Sequence, residues 1–323
     1  MLTVIFIYIN APGDLCCSAC LHWQISGRQA GQQRCLRTKQ SVYIRNIMLS
    51  EDNMYSDFHL HSKFSGDSKE DPENIVKQAI ALGMESICIT DHQDLDYPFI
   101  PGVTVQPVFE IDPHEYFGTW RALQEKYADD IDIRIGLEAG IEPHTYKEQM
   151  ERTKNVPFDF IINSCHVVTR KLCYFPDFFA KYGTHDGIRM YLECVYNNVC
   201  TFTNFDVVGH IDFLLRFAPE KESYRPEDNL DVTEKILKKV ISEGKGIEAN
   251  SAGFRKGLDS PNPCRLILEQ YKKLGGEIIT IGSDAHVCAD VGANFNETGE
   301  VLKEAGFKYY CTFKERKPEF HLL

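Results

Sequence analysis

Short, nearly unbroken apolar runs recur along this chain, each followed by a stretch with helical spacing. Ile278-Ile279-Thr280-Ile281 has no polar alternation, which suits a strand covered on both faces rather than one wetted on one side. Seven segments read this way: Tyr55–His61, Ser86–Thr90, Ile131–Glu138, Phe158–His166, Phe205–His210, Gly246–Asn250 and Ile278–Asp284. Helical signals lie between them. Asp71-Pro72-Glu73 offers an N-cap and a proline at the first helical position; an apolar stripe of Ile75, Ala79, Ile80 and Leu82 follows, and Gly83 closes it. Further helices are expected over 186–199, 228–244 and 262–275. Strand and helix alternating without a long linker predicts a parallel α/β barrel or an open doubly wound sheet. No glycine-rich phosphate loop follows the first strand, so a dinucleotide-binding reading has no support. The tail, residues 307–319, has strand character and many charges, and is expected outside the main sheet.

The barrel reading gives the histidines a place. Of eleven, six end strand candidates: His59, His61, His92, His166, His210 and His286. In a parallel barrel those ends converge on one rim. Asp91, Glu138 and Asp284 join them, with Asp67 in the loop after the first strand. His59 and His61 share a strand face because side chains alternate with period two. Taken singly, each histidine is as well explained by core packing; together, six imidazoles and several carboxylates on one rim need cations to organise them. Imidazole and carboxylate donors suit zinc, iron or manganese, and there are enough for two or three ions. His22, His114, His144, His185 and His321 lack this placement and are expected at the surface.

Composition excludes several partners. The net charge is −12, which argues against a nucleic-acid surface. No apolar run reaches the ~18 residues of a membrane span. The first fifty residues differ from the rest: Arg28, Arg34, Arg37, Lys39 and Arg45 stand against Asp14 alone, and Cys16, Cys17, Cys20 and Cys35 lie there. A Cys17-x-x-Cys20 pair has no second pair at zinc-site spacing. Residues 1–53 therefore read as a disordered or non-native extension ahead of a single domain over 54–323. The other eight cysteines lie mostly singly in apolar runs, as reduced core residues of a cytoplasmic protein do.

These residues also resemble a known family. Asp57-Phe58-His59-Leu60-His61-Ser62, Thr90-Asp91-His92, the His166 and His210 segments, and Gly282-Ser283-Asp284-Ala285-His286 are similar to the motifs of the PHP (polymerase and histidinol phosphatase) superfamily. Gly136-Leu137-Glu138-Ala139-Gly140, Phe205-Asp206-Val207-Val208-Gly209-His210-Ile211-Asp212 and Lys314-Glu315-Arg316-Lys317-Pro318 resemble its histidinol-phosphatases. The likeness runs from about residue 54 to the end. It implies a distorted (β/α)7 TIM-like barrel and a site of two or three divalent metals (zinc, iron or manganese). His59, His61, Glu138 and Asp284 would hold one ion. Glu138, His166 and His210 would hold a second, with Glu138 bridging. Asp67, His92 and His286 would hold a third, and Asp91 would orient His92 or cap a loop.

The implied reaction is hydrolysis of L-histidinol phosphate, a small phosphomonoester, with water as the direct nucleophile. Cations help by binding phosphate oxygens and by lowering the pKa of water. Glu138, Asp284 and His286 would be catalytic, with Asp284 or His286 protonating the leaving oxygen. Cys165 is not a nucleophile on this reading, since no C-x5-R loop follows it. Arg216 and Arg255, in loops on the same rim, are the candidate phosphate clamp. The competing expectations are a related phosphoesterase acting on nucleotides or other monoesters, and a non-enzymatic barrel with structural metal.

Overall fold

Strand β4, Asp132–Gly140, organises the sheet because its nine residues are long enough to pair with three neighbours. Its first half takes β2 (Ser86–Ile89) in parallel, Ile89 opposite Ile135; its second half takes β3 (His92–Asp94) on the same edge, Asp94 opposite Gly140. Its other edge takes β5 (Phe160–Ser164), Glu138 opposite Ile162. With β1 (Asp57–Leu60), β8 (Val207–Val208), β9 (Gly246–Asn250) and β10 (Ile279–Gly282), the parallel order is β1-β2-β4-β5-β8-β9-β10. This computed structural model describes residues 56–99 and 109–323. The leader, with His22 and its four cysteines, lies outside them.

The ends of that order meet. Asp284 N–H donates to His59 O at 2.8 Å, and His61 N–H to Ala285 O at 3.0 Å, so β10 closes against β1 at its carboxyl end. The chain thus forms a distorted seven-stranded TIM-like barrel, and all seven expected strands are present in it. Alternation splits its apolar residues into two sets. Ile87, Ile89, Leu137, Ile161, Val208, Ile247 and Ile281 pack beneath the helices. Phe58, Cys88, Phe160, Ile162 and Val207 form a separate inner cluster with Cys311 and Phe313.

Those last two belong to the tail, which folds as a hairpin, β11 (Tyr309–Lys314) and β12 (Lys317–Leu322), in a sheet of its own. Glu315 and Arg316 take the positive φ values of a tight turn, 48° and 66°. The turn docks on residues that precede strands: Arg316 N–H reaches Asp159 O at 2.9 Å, and Arg316 Nε reaches Asp206 Oδ2 at 2.5 Å. The hairpin therefore stoppers the amino-terminal end and leaves the carboxyl rim open. Phe313→Ala should cost about 3–5 kcal/mol, because the ring is buried 5.0 Å from Phe160. A urea midpoint unchanged from wild type at constant slope would contradict the stopper role.

The helix Pro72–Leu82 carries its expected caps: Asp71 accepts from Glu73 N–H, and Gly83 takes φ 78°. The expected helices near 186–199, 228–244 and 262–275 appear as Thr184–Thr201, Leu230–Ser242 and Arg265–Lys273. Helix Pro113–Lys126 escaped the sequence reading, although Asp112-Pro113 repeats the signal of Asp71-Pro72; its stripe is aromatic, Tyr116, Phe117 and Trp120. A short hairpin, β6 (Val167–Val168) with β7 (Lys171–Leu172), was not expected either. Among the described residues all eight cysteines are free thiols; five are buried as expected, whereas Cys264 and Cys288 are partly exposed and Cys200 is exposed. No helix among them is long and apolar enough to cross a membrane.

Candidate metal centre

The six rim histidines and their carboxylates do meet. Glu138, fully buried, sits at the centre with its two oxygens aimed at different partners. Oε1 lies 2.9 Å from His210 Nε2 and 3.2 Å from His166 Nε2. Oε2 lies 3.2 Å from His59 Nε2, 3.4 Å from His61 Nε2 and 3.0 Å from His92 Nδ1. Asp284 Oδ1 faces His61 Nε2 at 3.4 Å and His59 Nε2 at 3.8 Å. At the outer edge Asp67 Oδ2 lies 3.1 Å from His286 Nε2 and 3.6 Å from His92 Nε2.

His210 Nε2 and Glu138 Oε1 are hydrogen-bonded at 2.9 Å, but the atoms around Glu138 Oε2 are close without being aligned as hydrogen bonds. His59 Nε2, His61 Nε2, His92 Nδ1 and Glu138 Oε2 are buried without hydrogen-bond partners. Most buried polar atoms of natural proteins have a partner, so four orphans meeting at one place ask for an explanation. Donor atoms that converge on a shared point instead of on one another fit the coordination of cations. Among the described residues there are four such groupings: His59, His61 and Asp284; His59, Glu138 and His210; His61, His92 and His286; and His92, Asp94 and His166. The donor set is that of divalent cations.

The outward nitrogens of His59, His166 and His61 are held by partners, which sets those ring orientations. His59 Nδ1 meets Glu248 Oε1 at 2.5 Å, and His166 Nδ1 meets Asp94 Oδ2 at 2.6 Å. His61 Nδ1 meets Ser65 Oγ at 3.0 Å, and Ser65 in turn donates to Asp91 at 2.7 Å. Asp91 also accepts from Ser62 N–H and Oγ, so it caps the loop after β1 and steadies His61 rather than His92. Asp94 and Glu248 were missed as functional residues. Glu248 carried a readable signal, an acid between Ile247 and Ala249 in the inward register of a buried strand. Asp94 carried none, since it lies in the polar run after His92.

Electrostatics follow from this crowding. Burial pushes the Glu138 carboxyl up, but His59, His92 and His166 outweigh it and hold the group well below the usual carboxylate range. Burial likewise opposes ionisation of Asp284, yet His59, His61, Arg216 and His286 keep it an anion. His61 moves the other way: burial, with His286 and His92 beside it, lowers it to about 3, so its imidazole is neutral and able to ligate.

Space for the cluster comes from glycines. A Cβ on Gly282 would lie 2.4 Å from His59 Cβ and 2.5 Å from Glu248 Oε1; one on Gly140 would collide with the Asp94 carboxyl. Above the cluster opens a cavity of about 730 Å³. Glu138, His166, His210 and Asp284 form its floor, and one wall is aromatic: Tyr97, Phe109, Tyr174, Phe213 and Phe217. Arg216 and Arg255 also line the cavity, on short helices rather than in loops. Arg216 is buried and donates to Asp284 Oδ2 at 2.9 Å. Arg255 donates to Ser283 O at 2.5 Å and leaves its buried Nη1 without a partner. His114, His144 and His185 are exposed and His321 partly so, as expected.

Residues 57–252 match the model of the PHP domain. The histidinol-phosphatase of Lactococcus lactis is 33% identical over 81% of this chain and 95% of its own length. A Thermotoga maritima protein named "Probable histidinol-phosphatase" is 34% identical over 78% of this chain and 93% of its own. Among solved structures, the L. lactis histidinol phosphate phosphatase complexed with zinc, L-histidinol and phosphate superposes with a TM-score of 0.74 at 31% identity, covering 82% of this chain and 99% of that one. The converging histidines, the barrel that carries them and these likenesses agree: the chain belongs to the PHP-domain family, among its histidinol-phosphatases.

Proposed function

We propose that this chain is a metal-dependent phosphatase that hydrolyses L-histidinol phosphate to L-histidinol and phosphate. The observation that carries the chemistry is Glu138, whose two oxygens face separate groups of imidazoles on the floor of an open cavity. The relatives' names, and the ligands of the L. lactis structure, support the substrate.

His59, His61, Glu138 and Asp284 would hold one ion; Glu138, His166 and His210 a second; Asp67, His92 and His286 a third. Such ions, when bound, neutralise phosphate oxygens and make water acidic enough to act near neutral pH. The chain supplies the rest. Glu248 and Asp94 hold His59 and His166 with their ligating nitrogens turned inward. Asp284, kept as an anion, is suited to ligate rather than to release a proton. Arg216 and Arg255, which both line the cavity, offer charged donors to a phosphate resting on the floor. The aromatic wall excludes water and accepts a flat ring by stacking, which fits imidazole. We also infer that residues 54–323 form the catalytic unit without the preceding residues; the matched domain begins at Asp57.

Metal analysis together with phosphate release tests this reading. Purified protein should carry divalent metal and lose turnover on chelation. It should prefer histidinol phosphate over nucleoside monophosphates by at least about a hundredfold in kcat/KM, roughly 2.7 kcal/mol. Equal turnover of both substrates would remove the substrate assignment. Metal-loaded protein inert to every monoester would remove the enzyme.

A further inference from the structure

Arg216 is held by two buried amides: Asn250, whose Nδ2 also donates to Asp284 Oδ2 at 3.3 Å, and Asn262, which lies outside the imidazole cluster. Asn250 ends β9, and Asn262 follows the short helix Ala252–Arg255. Their backbones pair as an isolated antiparallel bridge, with hydrogen bonds of 2.8 and 2.9 Å. Residues opposed in such a bridge present their side chains to one side. Both amide oxygens accept from the same guanidinium: Nε donates to Asn262 Oδ1 and Nη2 to Asn250 Oδ1, each at 2.7 Å. With the bond from Nη1 to Asp284, three of the five N–H groups are used, leaving one on each terminal nitrogen. Phe213 covers the plane of the group, its ring centre 5.1 Å away.

Which way a buried carboxamide turns is set by what its NH2 faces. Asp212 supplies that partner: Oδ1 accepts from Asn262 Nδ2 at 2.5 Å, while Oδ2 accepts from Cys264 N–H at 2.8 Å. Asp212, Asn262 and Asn250 are all buried, so water cannot substitute for any of them. Asp212 therefore decides which way the Asn262 amide points, and the amide decides where the guanidinium lies.

We propose that Asp212 and Asn262 are a positioning pair that orients Arg216 for the phosphate of the substrate. This rests on reading the cavity as a phosphomonoester site. The side chains of the pair neither line the cavity nor touch the cluster; the substrate-facing group they contact is Arg216. N262D turns the relay into two facing carboxylates and leaves the seat of Nε misplaced. The exchange D212N/N262D restores the side-chain relay: the new amide at 212 donates to the new carboxylate at 262, accepts from Cys264 N–H, and leaves a carboxylate oxygen for Nε.

The test is calorimetric binding of inorganic phosphate to metal-loaded protein, with metal content, unfolding midpoint, KM and kcat measured on the same samples. N262D should weaken phosphate about tenfold or more, raising KM more than it lowers kcat, at unchanged metal content. The exchange should return phosphate affinity to within about threefold of wild type. N262D that binds phosphate as wild type does overturns the pairing, and so does an exchange variant that regains stability and metal but not phosphate affinity. If N262D fails to fold, the exchange variant alone decides on the same criterion. Wild-type protein that binds phosphate but leaves histidinol phosphate intact would count against the substrate reading and not against this pair.

Discussion

Glu138→Gln should lower kcat at least about a thousandfold and deplete bound metal. The substitution keeps shape and removes charge, so packing is not what changes. In place of one carboxylate oxygen stands an NH2, aimed either at His166 and His210 or at His59, His61 and His92. On either side a donor replaces an acceptor at the meeting point of several ligating atoms, and a cation there meets a hydrogen instead of a lone pair. Losing one anionic bridge removes several kcal/mol of charge stabilisation, and about 4 kcal/mol corresponds to three powers of ten in rate. Metal content by elemental analysis and phosphate release should fall together. A variant that keeps its full metal complement and turns over within about tenfold of wild type would show that Glu138 does not bridge.

The second large effect is steric. Gly282→Ala adds one methyl group at the carboxyl end of β10, where it meets His59 Cβ at 2.4 Å and Glu248 Oε1 at 2.5 Å. Neither neighbour can retreat cheaply. His59 Cβ sits on the backbone of β1, and Glu248 is tied to His59 Nδ1 and to His210 N–H. Overpacking of this kind costs typically 1–3 kcal/mol, and the upper end is expected because both contacts are rigid. The same displacement swings His59 Nε2 away from Glu138, so metal affinity should drop as well. Denaturant unfolding of the metal-free variant isolates the steric part, and a metal titration gives the rest. Wild-type midpoint and wild-type affinity together would mean that the inward glycines are not what makes room for the cluster.

Why some of this could be read from residue order and some could not has a physical basis. An apolar run that ends abruptly in a histidine or an acid is a local signal, and parallel topology turns position along the chain into position on a rim. His59, His61, His92, His166, His210, His286, Glu138 and Asp284 were legible for that reason, and the seven strands with them. Helix Pro113–Lys126 had a legible start at Asp112-Pro113, but its aromatic stripe was harder to tell from strand or loop than the aliphatic stripe of Pro72–Leu82.

Hydrogen-bond partnership across the barrel was not legible. Glu248 and His59 are separated by 189 residues, Asp94 and His166 by 72, Asp212 and Asn262 by 50. Nothing local marks Asn262 as an amide that must accept from an arginine. Likewise the tail could be recognised as strand, but not as the stopper of the amino-terminal end. From its own order the chain determined the strand–helix alternation and which side chains stand at strand ends, because both depend on periodicity within a few residues. Closure of β10 onto β1, the division of Glu138's oxygens and the seating of Arg216 were decided only by the tertiary structure, because each depends on where segments remote in the chain come to rest against one another.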